Sequence, residues 1–399
     1  MKGFDVQVFG AGIVGQCLAL SLARLGLQVA LRPLAALTPS ALGEPAIEDV
    51  RAYALNAASV GLLKRLKVWD TLPAHAATQV LDMHVQGDAP GAALDFSAWQ
   101  QRVSALAWIT DAAALERQLG VALRYAPHIT VLEAARATAP NAAPGAAPAA
   151  APHTSQRDDM PAALTALCEG KASATRAALG IAFERHAYGH QAIAARLTSP
   201  RAHQGLARQW FRSPDVLALL PFDSPQPGHS FALVWSVPDE RARELLALDD
   251  AGFESQLMLA SSGEAGELKL ASARAAWPLM RARAGAWCGP GWVLLGDAAH
   301  VVHPLAGQGL NLGLADVLAL TRVIEQRETW RQLGDEKLLR RYARERAAPT
   351  WAMDQLTDGL LNLFSQEAPA LRELRNRGLT LVNQLSPLKR WLTARALDA

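Results

Sequence analysis

The residues of this chain best placed to do chemistry lie in one stretch, Gly296-Asp297-Ala298-Ala299-His300-Val301-Val302-His303-Pro304-Leu305-Ala306-Gly307-Gln308-Gly309-Leu310-Asn311, continuing to Asp316. It follows an apolar run, residues 292–295, that reads as a buried strand. A strand ending in Gly-Asp puts a carboxylate at the carboxyl edge of a sheet, where open α/β sheets bind ligands. Such an acid can accept a hydrogen bond from a ribityl or ribose hydroxyl. Pro304 and the glycines around Gln308 let backbone approach a flat ligand closely. Residues 310–323 are apolar and free of proline, so they read as a helix. Its amino end would aim backbone N–H groups and a positive dipole end at the ligand. That arrangement suits a ring that becomes anionic when reduced.

A second glycine-rich turn stands near the start. Residues 4–9 read as a first strand, Gly10-Ala11-Gly12-Ile13-Val14-Gly15 follows at once, and a helix runs to about residue 25. Gly26 caps that helix and residues 27–31 form the next strand. In this setting Gly10 permits the tight turn, Gly12 lets a pyrophosphate approach, and Gly15 lets helix and strand pack. No second strand–glycine–helix unit is present, which disfavours an enzyme with two dinucleotide domains.

The stretch from Gly296 to Asp316 resembles the second flavin-binding motif of the class A flavoprotein monooxygenases. Within it, His303 to Asp316 resembles the narrower signature of their ubiquinone-biosynthesis hydroxylases. Other segments agree with the resemblance. Arg51-Ala-Tyr53-Ala-Leu55-Asn56 begins what reads as a helical stretch ending at Val68-Trp69. It resembles the family segment whose arginine contacts flavin phosphate and helps receive NAD(P)H, a task suited to a planar guanidinium fork. Cys168-Glu169-Gly170-Lys171-Ala172-Ser173, with Arg176, resembles the family's middle motif, with Glu169 where the family has Asp. Trp277-Pro278-Leu279 and Tyr188-Gly189 resemble strands of its substrate domain. Residues 342–346, 358–364 and 374–379 resemble its C-terminal helices.

The resemblance implies an α/β fold: a Rossmann-like FAD-binding domain of the p-hydroxybenzoate hydroxylase type, a β-rich substrate domain and C-terminal helices. The expected division gives the FAD-binding domain residues 1–75, 111–182 and 278–335. The substrate domain takes 76–110 and 183–277, and a helical region takes 336–399. Strand-like runs such as residues 231–237 support the substrate sheet. FAD is the implied cofactor, held by Gly10, Gly12, Gly15, Arg51, Glu169, Gly170, Gly296, Asp297, Pro304, Gly307, Gln308, Gly309, Leu310 and Asn311. The backbone of residues 307–310 would stabilise negative charge on the ring. The implied reaction is aromatic hydroxylation of a polyprenylated phenol with NAD(P)H as cosubstrate and O₂. No catalytic side chain can be named, and His300 and His303 read better as structural hydrogen-bonding groups in a turn.

One further departure bears on the cofactor. Where the family ends its second strand with an acid that binds the adenosine ribose, this chain has Pro33, preceded by Arg32. Proline offers neither an acceptor side chain nor an N–H. The ribose contact is therefore absent, supplied elsewhere or replaced by water. Together with Glu169 this leaves open a flavin-impaired accessory homologue in a biosynthetic complex. A hydroxylase of a soluble phenol is the other open alternative.

The bulk properties bound the reading. At 399 residues, half of them apolar, the chain can bury large cores. A net charge of +2 points to no nucleic-acid partner. Eleven tryptophans are mostly expected in packing roles. Cys17, Cys168 and Cys288 are scattered, with neither metal-ligand spacing nor a disulfide framework, which fits a reducing cytoplasm. The apolar residues 6–31 are interrupted by glycines, Gln16, Arg24 and Gln28, so a βαβ unit explains them better than a signal or membrane span. Contact with the inner membrane surface would follow from a prenylated substrate. Self-association or a biosynthetic complex stays open. Residues 134–160, largely Ala and Pro at first, read as a surface insertion.

Overall fold

Val6 and Val8 lie at the centre of the molecule, and the sheet they belong to explains the two glycine-rich turns. The computed structural model describes residues 3–33, 49–87, 92–132, 162–302 and 308–365. The Ala/Pro-rich insertion, His303, Pro304 and Gly307 lie outside these residues. Strand Val6–Phe9 pairs in parallel with Val29–Arg32 on one side and Leu164–Leu167 on the other. Ile129–Val131 and Trp292–Leu294 extend the sheet in parallel at its two sides, and Cys288–Gly289 adds an antiparallel edge. The chain thus turns to opposite sides beside Val6–Phe9. That switch opens a crevice at the strands' carboxyl ends, where Gly10, Cys168 and Leu295 sit.

Helix Ile13–Arg24 covers one face of this sheet. Ten of its twelve residues are buried, which is why its sequence is apolar all round. Gly26 closes it with φ +81° and an amide bond to Ala23 O, as its position after the apolar run implies. Helices Ala112–Tyr125 and Gly309–Glu325 lie on the same core, which contains Val6, Val8, Leu18, Leu22, Leu119, Leu314 and Leu320. Helix Glu336–Ser365 adds Leu338, Leu339 and Tyr342 to that core.

The larger sheet is mostly antiparallel. Its order runs His300–Val301, Ala275–Ala284, Phe183–Thr198, Ser230–Pro238, Asp215–Phe222, Leu206–Arg212, Asp82–Gln86 and Ala93–Ser97, with Lys269–Leu270 beside Phe183–Thr198. One face carries Ile193, Trp210, Leu217 and Trp235 against Ala242, Leu245, Phe253 and Leu257 of two helices. These tryptophans serve packing, as expected for most of the eleven. The opposite face places Ala207, Phe222 and Ala232 against Val80, Leu106 and Ile109. A small third sheet, Ala52–Leu55, Ala107–Asp111 and Ala77–Val80, supplies Val80 and Ile109.

One element differs from its sequence reading. Residues 52–55 are a strand, not the first turn of a helix. They pair with Ala107–Asp111, Ala52 opposite Asp111 and Leu55 opposite Trp108. The helix begins only at Ala57, because the Asn56 side chain accepts the Ser59 amide at 2.8 Å and caps it.

Candidate cofactor site

The first turn is built by exclusion of side chains. Gly10 has φ +99°, and a Cβ there would stand 2.3 Å from Cys168 O. A Cβ on Gly15 would stand 1.9 Å from Gly10 O. Gly12 is the opposite case: nothing lies within 4 Å of where its Cβ would be. Gly12 is the N-cap of helix Ile13–Arg24, with extended backbone and no capping side chain, and no acid stands in the first turn. The turn therefore offers open amides, a positive dipole end and empty space above Gly12.

The second turn follows Trp292–Leu294. Gly296–Ala298 forms a single 3₁₀ turn with φ +57° at Gly296. Asp297 is exposed to solvent, yet protein surrounds it on most sides, as on the floor of a cleft. That enclosure pushes its carboxyl above the usual range, against the pull of His300 and Lys171. Among the described residues no group hydrogen-bonds it, so its oxygens keep acceptor capacity to spare.

Helix Gly309–Glu325 begins at Gln308, which makes no side-chain cap bond, and it has no acid in its first turn. Gly296, Gly313 and Val14 bring the two turns together: a Cβ on Gly313 would lie 2.7 Å from Val14 Cγ2 and 3.4 Å from Gly296 Cα. Two uncapped helix starts and one free carboxylate thus converge on one crevice. The donors suit a pyrophosphate and a ring that takes negative charge, and the acceptor suits a sugar-chain hydroxyl. The residues present fit FAD.

The remaining expected cofactor residues fall into two groups. Gly309 and Leu310 open the helix at the crevice, Gly309 with free space where its Cβ would be. Asn311 and Glu169 spend their side chains inside the protein, and the half-buried Gln308 is joined to Asn311. Asn311 is buried. Its Nδ2 donates to Ala54 O at 2.8 Å and to Gln308 Oε1 at 3.0 Å, while its Oδ1 accepts from Asn56 N and Ser59 Oγ. Glu169 accepts from Ser173 Oγ, from Thr175 N at 3.2 Å and from Thr175 Oγ1 at 2.9 Å, bracing the short helix Ala174–Ala178. Gly170 follows with φ +76°. Arg176, stacked 3.5 Å over the Phe183 ring, donates to Ala298 O at 2.8 Å and so ties this loop to the Asp297 turn.

Arg51 is half-exposed and already held. Asp49 grips it at Nε (2.8 Å) and NH2 (2.7 Å), Glu116 lies 3.4 Å away, and Tyr53 OH accepts from NH1 at 3.3 Å. Asp49 above all drives its pKa up. The Tyr53 hydroxyl is pushed up by burial, and Asp297 is among the charges it feels, so this cluster borders the crevice. Arg196, from the larger sheet, donates to Arg51 O and Asp111 Oδ2, both at 3.0 Å.

Sequence reasoning missed Asp316 as more than a motif ending, and Arg346 with it. Asp316 is fully buried and bonded to Gly296 N, His300 and Arg346. The signal was present: an acid inside an apolar helix needs partners. His300 is buried, with its Nε2 on Asp316 Oδ2 at 2.7 Å. Among the described residues no group of His, Cys, Asp and Glu could hold a metal ion.

A family model described as an FAD binding domain matches residues 3–357. The chain belongs to that FAD-binding family. Its cofactor is FAD. The chain is 29% identical over 397 residues to ubiquinone hydroxylase UbiL of Rhodospirillum rubrum, covering 99% of this chain and 90% of that protein. It is also 29% identical over 388 residues to 3-demethoxyubiquinol 3-hydroxylase of Escherichia coli, covering 97% and 96%. Among solved structures, PqsL of Pseudomonas aeruginosa, described as a probable FAD-dependent monooxygenase, superposes with TM-score 0.71 at 20% identity, over 95% of this chain and 99% of that one. The fold is that of the p-hydroxybenzoate hydroxylase type.

Proposed function

We propose that this FAD-dependent monooxygenase hydroxylates the ring of a polyprenylated phenol in ubiquinone biosynthesis, taking electrons from NAD(P)H and oxygen from O₂. One observation carries the reading. Strand His300–Val301 runs on from the Asp297 turn and pairs with Ala275–Ala284, Arg283 opposite His300 and Ala282 opposite Val301. The cofactor turn and the substrate sheet are one hydrogen-bonded unit, so a ring bound on the sheet and a flavin on the turn share a seam. When bound, FAD supplies electron transfer and the activation of O₂. The chain's own task is to hold and orient. Asp297 would accept a cofactor hydroxyl, and the first amides of Ile13–Arg24 would face the pyrophosphate. The first amides of Gly309–Glu325 would stabilise negative charge on the ring. Arg51, preset by Asp49, would meet a phosphate of cofactor or reductant. The near end-to-end likeness to ubiquinone hydroxylases supports the choice of substrate.

Among the described residues no helix is long and apolar enough to cross a membrane. Contact of a cytoplasmic protein with the inner membrane surface belongs to the same proposal, since the prenyl tail resides there. The test is coupling of NAD(P)H oxidation to hydroxylated product, with a bare and a prenylated phenol. Each buried methylene contributes about 0.8 kcal/mol, so coupling should improve steeply with the tail. Equal coupling would favour a soluble phenol. No coupling with either, in protein that holds FAD, would overturn the hydroxylase reading in favour of an accessory role.

A further inference from the structure

Asp316 stands among apolar neighbours in the middle of helix Gly309–Glu325, with none of its surface exposed. A carboxylate there survives only if its lone pairs are filled. Burial pushes its pKa up, but His300 and Arg346 outweigh burial and hold it below the usual carboxylate range. It is therefore ionised and can only accept. Oδ2 accepts the Gly296 amide at 2.9 Å and His300 Nε2 at 2.7 Å, so that nitrogen carries the imidazole proton. Oδ1 accepts Arg346 Nε at 2.7 Å, and Arg346 NH2 reaches Leu312 O at 3.4 Å. The Trp287 ring lies 5.0 Å from that of His300, tilted 37° to it.

One carboxylate thus joins three segments: the turn that presents Asp297, the helix that begins at Gly309, and the C-terminal helix Glu336–Ser365. We propose that Asp316, with His300 and Arg346, is the positioning centre of the cofactor site, and that FAD affinity therefore depends on the C-terminal helix. All three side chains are buried, at 0, 4 and 7% exposure, so they act through the Gly296–Asp297 backbone and the helix start and not on the cofactor itself. Tyr342 offers an internal contrast. It lies on the same helix, fully buried, and donates to Leu294 O at 2.8 Å. It ties the helix to the strand but not to the turn. The inference rests on FAD binding alone, so it stands or falls independently of the choice of substrate.

The experiment is titration of apoprotein with FAD, read by quenching of flavin fluorescence, with apoprotein melting measured in parallel. Arg346→Lys keeps the charge but loses the fork, and His300→Phe removes one donor. Each should raise the FAD Kd about tenfold or more, the effect of losing a charge-assisted bond that fixes the turn. His300→Gln, whose amide can replace the imidazole donor, should return Kd towards wild type. Tyr342→Phe should lower melting but leave Kd within about twofold. Kd values near wild type in folded Arg346→Lys and His300→Phe would overturn the proposal. So would a Tyr342→Phe effect on Kd as large as theirs, which would reduce the network to ordinary packing. If Arg346→Lys does not fold, His300→Phe decides alone, because it leaves the Asp316–Arg346 pair in place.

Discussion

The two glycine-rich turns that border the crevice reach the same end by opposite means. Around Gly10–Gly15 the backbone is placed by what is missing: two Cβ atoms whose absence lets strand, turn and helix touch. Around Gly296–Asp297 the backbone is placed by what is present: a buried carboxylate, an imidazole and a guanidinium drawn from two helices and a short strand. A sterically built turn rests on backbone contacts and has no side-chain partner to lose, but tolerates no substitution at its contact points. A turn built by charges can be tuned, and answers to distant parts of the chain.

The largest effect should come from the first turn. Gly15→Ala forces a Cβ to 1.9 Å from a backbone oxygen that cannot step aside. The expected cost is about 4 kcal/mol or more, at the extreme for a single substitution. Soluble, cooperatively melting Gly15→Ala protein would show that the turn is looser than its contacts imply. Gly12→Ala should separate the two uses of glycine. Its Cβ meets open space, so melting of the apoprotein should hardly change. The same methyl would intrude where the pyrophosphate must come, costing about 1–3 kcal/mol, roughly five- to 150-fold in FAD Kd. Unchanged affinity would place the pyrophosphate elsewhere.

At the second turn Asp297→Ala should also weaken FAD, by about 1.5–3 kcal/mol for a lost charged acceptor, roughly ten- to 150-fold. Its effect on the empty protein should have the opposite sign. Enclosure raises the carboxyl pKa in the folded state above its unfolded value. The folded protein therefore holds that proton more tightly than the unfolded chain does. The carboxylate is thus a penalty on stability at pH values above its folded pKa, and the penalty vanishes as pH falls below the unfolded one. Asp297→Ala apoprotein should accordingly melt higher than wild type at pH 7, with the gain fading under acid. A variant that lost both cofactor and stability at pH 7 would make Asp297 a packing residue.

The contrast also explains what could be read beforehand. Gly10 and Gly15 were legible because a glycine between a strand and a helix has few uses other than close approach. The place of Asp297, just past the end of a buried strand, was legible from the apolar run before Gly296. Asn311 was read among the cofactor residues, and its side chain bonds Ala54, Asn56, Ser59 and Gln308, which leaves its backbone amide for that task. An amide that serves a ligand and one that serves a neighbouring strand have the same spelling. The strand 52–55 was hidden for a related reason. Its pairing partner, Ala107–Asp111, lies more than fifty residues away, and the two alanines among its four residues carry no strand signature. The Asp316 network needed Arg346, thirty residues on. No short motif can report such a pair, although an ionised residue in an apolar helix announces that a partner exists.

The smallest expected effect is at Glu169. Its two oxygens are engaged by Ser173 and Thr175, which lie at the start of helix Ala174–Ala178. Glu169→Asp would shorten the reach and lose one of these bonds while keeping another. The cost should be about 1 kcal/mol or less, as for a weakened helix cap, seen as a slight fall in melting temperature. FAD affinity should stay within about twofold, because the carboxylate braces the loop from within. The loop's tie to the Asp297 turn runs through Arg176 and Ala298 O, which the change does not touch. A tenfold gain in FAD or NAD(P)H affinity on installing aspartate would contradict this. It would mean that the family's acid works on the ligand directly and that glutamate had withdrawn it into the protein.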